Sequence, residues 1–177
     1  MAKKIESTLS KYYHFFPTVV AIVAVKYGDK INAMAVAWNT ALSFDPPLFG
    51  ILVTSKRMTH ELITKAGEFT VNFLPYEKAH IIAACGRTSG REVDKFTAFG
   101  IKTEKSRKIS SPVLKDAYAS YECRVREHHL IGDHTLFVGE IVQVHYDPRA
   151  FDKDGLPNLN NIHPALYLGS DKYLKAK

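Results

Sequence analysis

Residues 18–26 read TVVAIVAVK, a run of β-branched and apolar side chains that is typical of a buried strand. Residues 27–30, YGDK, supply a turn, and residues 31–38, INAMAVAW, form a second apolar stretch. Two such stretches joined by a short turn containing glycine favour a β-hairpin. We therefore expect the chain to organise its fold around this hairpin.

Further strands are expected along the rest of the chain. Residues 44–47, FDPP, interrupt the pattern because proline cannot donate a ladder hydrogen bond, and residues 48–54 then favour a third strand. Residues 68–74, EFTVNFL, predict another. The last third again favours strands, at 121–126, 134–146 and 165–174.

Two features of these later strands are specific. Along 121–126, apolar and charged residues alternate, which predicts a half-buried strand with Glu122, Arg124 and Arg126 on a wet face. Gly139 interrupts the next strand and predicts a bulge.

Three short helices are expected between the strands. Thr59 is the expected N-cap and Gly67 the expected C-cap of a helix over residues 60–66. The other two are expected at 77–85 and 91–99. Because hairpins and breaks dominate over strand–helix–strand spacing, the pattern favours an antiparallel β-barrel over a doubly wound sheet.

Length and composition indicate one domain spanning residues 1–177, with 46% hydrophobic and 24% charged residues. The longest apolar run, 19–25, is too short for a transmembrane helix, and the N-terminus lacks an apolar signal-peptide region. We therefore expect a cytoplasmic protein without a membrane partner. Cys85 and Cys123 are the only cysteines, which argues against a disulfide scaffold or a zinc site.

Charge and motifs narrow the function classes. The formal net charge is +6, but Lys and Arg are scattered without a basic stripe, so a module that binds nucleic acid is the disfavoured alternative. The sequence contains no GxGxxG, P-loop, HExxH or GxSxG motif. His128 and His129 are adjacent on an expected strand, so they point to opposite faces, and no metal site is expected.

Four polar segments remain, each with two interpretations. Residues 32–40, NAMAVAWNT, leave room either for a flat ligand against the backbone or for a closely packed neighbouring strand. Residues 55–59, SKRMT, form either an anion site at a helix start or an ordinary capped helix. Residues 85–96 form either a phosphate site or a surface loop, and His134 either packs under its turn or faces a pocket.

These segments resemble the flavin reductase-like, FMN-binding split-barrel family, which includes ferric reductases and flavoredoxins. The resemblance covers about residues 12–174, and the number and order of its motifs make it specific. The matching segments are 32–43, 45–47, Arg57-x-Thr59, 68–72, 85–96, 133–140 and 164–173.

The resemblance implies a mainly β fold, a six-stranded antiparallel Greek-key split barrel with short peripheral helices, assembled as a homodimer with FMN near the subunit interface. It implies that the isoalloxazine ring lies against Ala37, Trp38, Asn39, Thr40 and Ser43. The residues implied to hold the ribityl phosphate are Ser55, Arg57, Thr59, Ser89 and Lys95. His134 is implied to lie on the side of the nicotinamide donor.

Two functions within this family remain open. One is an NAD(P)H-dependent reductase that transfers hydride from nicotinamide to flavin N5 and passes electrons to free flavin, ferric complexes or a partner protein. The other is an FMN electron carrier that a redox partner protein reduces. The family uses FMN and FAD, and no adenine pocket is evident, so FMN is the expected cofactor. Few acid–base residues are needed, because the cofactors carry the chemistry and the protein positions two rings.

Overall fold

The computed structural model describes residues 3–9 and 13–176; Tyr12, where the resemblance begins, lies outside them. The strands are β1 (Thr18–Val19), β2 (Ala21–Tyr27), β3 (Lys30–Val36), β4 (Asn39–Phe44), β5 (Pro47–Thr54), β6 (Glu68–Phe73), β7 (Thr103–Glu104), β8 (Val113–Leu114), β9 (Ala119–Ile131), β10 (His134–Tyr146), β11 (Ala165–Gly169) and β12 (Lys172–Lys175). The helices are α1 (Met58–Ala66), α2 (Ala79–Arg87) and α3 (Lys95–Ala98), with 3₁₀ turns at Tyr13–Phe15, Tyr76–Lys78 and Pro148–Ala150. Among the described residues, no helix combines the length and the apolar character needed to cross a bilayer.

The strands form one large antiparallel sheet and two small ones. The large sheet has seven strands in the order β3-β2-β6-β9-β10-β5-β4, and the small sheets are β1-β11-β12 and β7-β8. The mainly β class is confirmed, but the expected count of six strands in a split barrel is not, because the large sheet has seven strands and does not close into a barrel. Instead β3, at one end of the large sheet, contacts β5 near the other end, and the N–H of Leu52 donates to the carbonyl of Trp38 at 3.0 Å.

The opening hairpin is confirmed. β2 and β3 pair in continuous register from Ala21↔Val36 to Tyr27↔Lys30, and Gly28 takes a positive φ in the turn. Residues 21–25 of β2 are all apolar and all buried, so both faces of this part of the strand lie in the core. One face packs with Phe69 and Phe137, and the other packs beneath α2.

Sequence reasoning missed β4. This strand is at the edge of the large sheet and most of its side chains are exposed, so it has no apolar pattern to reveal it. The expected strand through residue 38 ends at Val36 instead. The expected bulge at Gly139 is confirmed by a shift in register, and a Cβ there would lie 2.7 Å from Cζ of Phe69.

The helices differ from expectation at their starts. Helix α1 begins at Met58, and Arg57 rather than Thr59 occupies the N-cap position. The C-cap at Gly67 is confirmed, with φ 67° and its N–H donating to Ile63. The expected helix over 91–99 is reduced to α3, where the Asp94 carboxylate caps two N–H groups.

The predicted wet face of β9 is wrong at Glu122. This side chain is fully buried, because residues 106–111 fold over it. Its carboxylate accepts hydrogen bonds from the N–H groups of Arg107 and Lys108, at 2.7 Å each, and from Nε2 of His145 at 2.5 Å. Burial by itself raises the pKa of Glu122, but the three hydrogen bonds together hold it below its ordinary value.

Replacing Glu122 by glutamine should lower the free energy of unfolding by roughly 2–3 kcal/mol at neutral pH, because the side-chain NH2 group would replace one of the two acceptor oxygens and face a backbone N–H donor there. The native carboxyl has a lowered pKa, so its stabilising contribution is present above its ordinary pKa and is lost as the pH falls. The difference between the two proteins should therefore hold from neutral pH down to about pH 4.5 and be smaller at about pH 3 than at neutral pH. Urea unfolding at neutral pH and at about pH 3 measures it.

Glu127→Gln is the matched control, because Glu127 lies on the same strand and is exposed beside His129. This variant should stay within about 0.5 kcal/mol of the native protein. A destabilisation by Glu122→Gln that does not change on acidification would contradict a charged, buried Glu122.

Candidate functional site

Three adjoining cavities open along β3, and together we name them the β3 groove. The central cavity, of about 160 Å³, lies between residues 34–38 and residues 52–54. The Trp38 cavity, of about 560 Å³, continues from it past the start of β4. The Arg87 cavity, of about 310 Å³, continues in the other direction towards β12. The Trp38 and Arg87 cavities are within the range of small-molecule sites, roughly 300–1,000 Å³, and the central cavity is smaller.

Small residues make the groove continuous. Ala35, Ala37 and Gly86 line both the central cavity and the Arg87 cavity. A Cβ at Gly86 would lie 3.6 Å from that of Ala35, so no side chain larger than a methyl separates the two cavities here. The open interpretation of residues 32–40 is therefore the one that the structure favours, because their alanines border an open groove.

Trp38 and His134 join the central cavity to the Trp38 cavity. Both residues line both cavities, and their rings lie 4.6 Å apart between centroids at an angle of 41°. The Nδ1–H of His134 donates to the Asp133 carboxylate at 2.8 Å, and this bond lowers the pKa of Asp133. His134 therefore faces a pocket, with Nε2 as the nitrogen left to contact a ligand.

Two arginines line the groove in different electrostatic states. Arg57 lines the central cavity, and among residues 3–9 and 13–176 no carboxylate lies within ion-pair distance of it. Arg87 lines its own cavity, but its Nε donates to Asp171 at 2.6 Å. Arg57 is therefore the arginine of the groove that is available to an anion.

The structure brings Ala37, Trp38, Arg57 and His134 together in the central cavity. Asn39 and Thr40 line the Trp38 cavity, where Nδ2 of Asn39 also donates to the carbonyls of Val19 and Val36.

Five predicted residues line none of the three cavities: Ser43, Ser55, Thr59, Ser89 and Lys95. Ser43 pairs with Leu48 in the β4–β5 hairpin, and Ser55 lies in the exposed turn before α1. Oγ of Ser89 accepts from the N–H of Arg91 at 3.2 Å.

Thr59 and Lys95 lie behind the wall of the groove. Thr59 is buried, and its Oγ1 accepts from Nδ2 of Asn32 at 2.8 Å. Lys95 is 3% exposed, and its Nζ donates to the carbonyls of Ala33 at 2.8 Å and Cys85 at 2.9 Å. The segments 55–59 and 85–96 therefore converge on β3 as expected, but these two side chains bind the strand itself.

Sequence reasoning missed Gly86, Asp133 and residues 52–54 as parts of the site. Gly86 directly follows the helix expected over 77–85, and a glycine at a helix end is a signal that could have identified it. The wall formed by residues 52–54 has no local signal, because it depends on β5 meeting β3 across the sheet.

Comparisons with known proteins agree with this geometry. The crystal structure of an FMN-binding protein from Thermus thermophilus with bound 1-cyclohex-2-enone matches at a TM-score of 0.88 and 36% identity, over 99% of this chain and 95% of that one. A flavoredoxin from Methanosarcina acetivorans matches at a TM-score of 0.87 and 26% identity, over 99% and 92%. The NADH-dependent FMN reductase AsuE2 of Streptomyces nodosus subsp. asukaensis is 32% identical over 132 residues, which are 73% of this chain and 69% of that protein.

The family comparison covers almost the whole chain. The sequence model of the flavin reductase like domain matches residues 12–173. Its span includes β3, α1, α2 and β10, the elements that build the groove. The chain therefore belongs to the flavin reductase like domain family.

Proposed function

We propose that this chain binds FMN in the β3 groove and reduces it with NADH, as an NADH-dependent flavin reductase. The observation that carries the proposal is one groove that joins a wall of small residues, the ring pair of Trp38 and His134, and Arg57, which forms no ion pair with any described residue. Two relatives support it by name, the FMN-binding protein of Thermus thermophilus and the NADH-dependent FMN reductase AsuE2.

The groove suits a planar ligand with a polar edge. Small side chains leave the backbone of the groove accessible, so that a flat ring can approach it. These residues are Ala35, Ala37 and Gly86. β3 has only one strand neighbour, β2, so its other edge offers N–H and C=O groups that no strand pairs. These groups can read the hydrogen-bonding edge of a flavin ring.

The charged end of the ligand is assigned to Arg57. A guanidinium without a carboxylate partner can bind a phosphate through charge-assisted hydrogen bonds. The start of α1 lies next to it and adds N–H groups that have no partner within the helix. Phosphate roles for Ser55, Thr59, Ser89 and Lys95 stay predictions.

FMN, when bound, supplies the two-electron chemistry. The chain positions the ligands and excludes water from them. Trp38 and Leu52 present apolar surface where the central cavity meets the Trp38 cavity, which excludes water from a second ring placed there. Asp133 orients His134 so that Nε2 can hydrogen-bond a nicotinamide amide.

The electron carrier is the second candidate, and the match to the Methanosarcina acetivorans flavoredoxin favours it. Such a protein would bind FMN but would take its electrons from a redox partner protein. The homodimer that the resemblance implies and the cytoplasmic location expected from the sequence also stay predictions.

The first test mixes the purified protein with FMN and then adds NADH without oxygen. We expect FMN to bind, and NADH to bleach the visible flavin band. NADPH and FAD serve as the comparison donor and cofactor. Bound FMN that stays yellow with either donor would favour the electron carrier, and a protein that binds no flavin would overturn the proposal.

Replacing Arg57 by glutamine should weaken FMN binding about 10- to 100-fold, because a hydrogen bond to a charged group contributes roughly 1.5–3 kcal/mol. Riboflavin, which lacks the phosphate, should bind the variant and the native protein equally. Fluorescence titration measures both constants. Arg149→Gln is the control, since Arg149 is exposed and lines none of the three cavities. Equal weakening of both ligands would contradict a phosphate role.

Replacing His134 by alanine should lower kcat/KM for NADH by roughly 10-fold or more, because a positioning hydrogen bond is lost. The Kd for FMN should change little. His129→Ala is the control, because His129 is exposed on the neighbouring strand β9 and bonds to Glu127. An unchanged kcat/KM would remove His134 from the donor side of the site.

A further inference from the structure

Lys95 presents an unusual electrostatic situation beside the β3 groove. Its ammonium group is buried, and among the residues that the structure describes no carboxylate lies within ion-pair distance of it. A buried charge without a counter-ion is costly, and proteins commonly pair or neutralise it. Such a group is therefore a candidate for a functional role.

Backbone dipoles partly solvate this charge. Nζ donates to the carbonyl of Ala33 on β3 and to that of Cys85 in the last turn of α2. The carboxyl end of a helix carries partial negative charge and favours a cation. The compensation is incomplete, because burial still lowers the pKa of Lys95 and the nearby charge of Arg57 lowers it further.

The two carbonyls belong to segments that build the groove wall. Gly86, which follows Cys85, and Ala35, two residues after Ala33, both line the central and Arg87 cavities. Lys95 itself lines none of the three cavities. Its side chain thus ties β3 to α2 behind the residues that line the groove.

We propose that Lys95 is a positioning residue that acts through the groove wall on the flavin ring, by bracing β3 against α2 and by directing an uncompensated positive charge at the ring. This inference rests on the proposed function and makes it more specific. It differs from the phosphate role that the resemblance implies for Lys95. A residue that binds the phosphate affects the binding of FMN but not of riboflavin. A residue that braces the wall from behind affects the binding of both equally.

The test compares Lys95→Gln with the native protein, because glutamine keeps a neutral donor and removes the charge. We expect FMN and riboflavin to bind the variant more weakly by the same factor, roughly tenfold. We also expect the midpoint potential of bound riboflavin to fall, because a positive charge near the ring favours the electron-rich state. Lys95→Arg, which keeps the charge, should restore the potential.

The control is Lys65→Gln, which removes a positive charge paired with Glu61 on the exposed surface of α1. It should leave both affinities and the potential unchanged. Weaker binding of FMN with unchanged binding of riboflavin would indicate that Lys95 binds the phosphate, and this would overturn the inference. Unchanged affinities and potential in Lys95→Gln would overturn it as well.

A measurement on the native protein decides the question where the variants do not fold. With ¹⁵N-labelled lysine, the buried ammonium of Lys95 should give a slowly exchanging side-chain signal that shifts alike when riboflavin or FMN is added. A signal that responds to FMN alone would overturn the inference. Failure of the native protein to bind either flavin would overturn the proposed function itself, whereas flavin binding without the Lys95 effect would overturn only the inference.

Discussion

The groove depends on how strand β3 is held in place. One of its edges pairs with β2, which is buried on both faces and cannot move without exposing core. On the side of the helices, Asn32 bonds to Thr59 in α1, and Lys95 of α3 bonds to the carbonyl of Ala33. Gly90 fits so closely against Asn32 that a Cβ there would lie 2.2 Å from Oδ1. A strand at the end of a sheet is thereby fixed by three helical or loop segments, while its last residues stay open to a ligand.

This arrangement separates the residues that shape the site from those that face it. The polar side chains of Asn32, Thr59 and Lys95 are buried with their hydrogen bonds made within the protein, and the wall shared by the central and Arg87 cavities is formed by Ala35, Ala37 and Gly86. Buried polar groups with complete partners give a precisely placed wall, because an alternative position would leave them unsatisfied. Such a wall suits chemistry that depends on the distance between two rings more than on acid–base groups.

Local patterns in the sequence were sufficient for much of the fold. The hairpin of β2 and β3, the glycine at 67 and the bulge at Gly139 all follow from side-chain pattern or from backbone constraints over a few residues. The failures share one physical cause, which is contact between distant segments. The sequence pattern predicts Glu122 on the wet face of its strand, but residues 106–111 fold over it. It also predicts Thr59 as a helix cap, but the Thr59 hydroxyl accepts a hydrogen bond from Asn32 of β3. For the same reason, the sequence allowed the motif residues to be recognised as one group, but it did not show in which direction each side chain points.

The two ends of the groove differ in a way that orders the ligand along it. At the Arg87 end the arginine is already neutralised by Asp171, so this end offers no free charge to an anion. At the other end Trp38, Leu52 and Ile131 supply apolar surface, which stabilises a stacked ring and disfavours a phosphate. Arg57 lies between them in the central cavity. On the proposed function, a second ring can therefore reach the flavin only from the Trp38 cavity, where His134 lines the wall. On that proposal, the charge distribution that would hold the cofactor also sets the side from which its electrons would arrive.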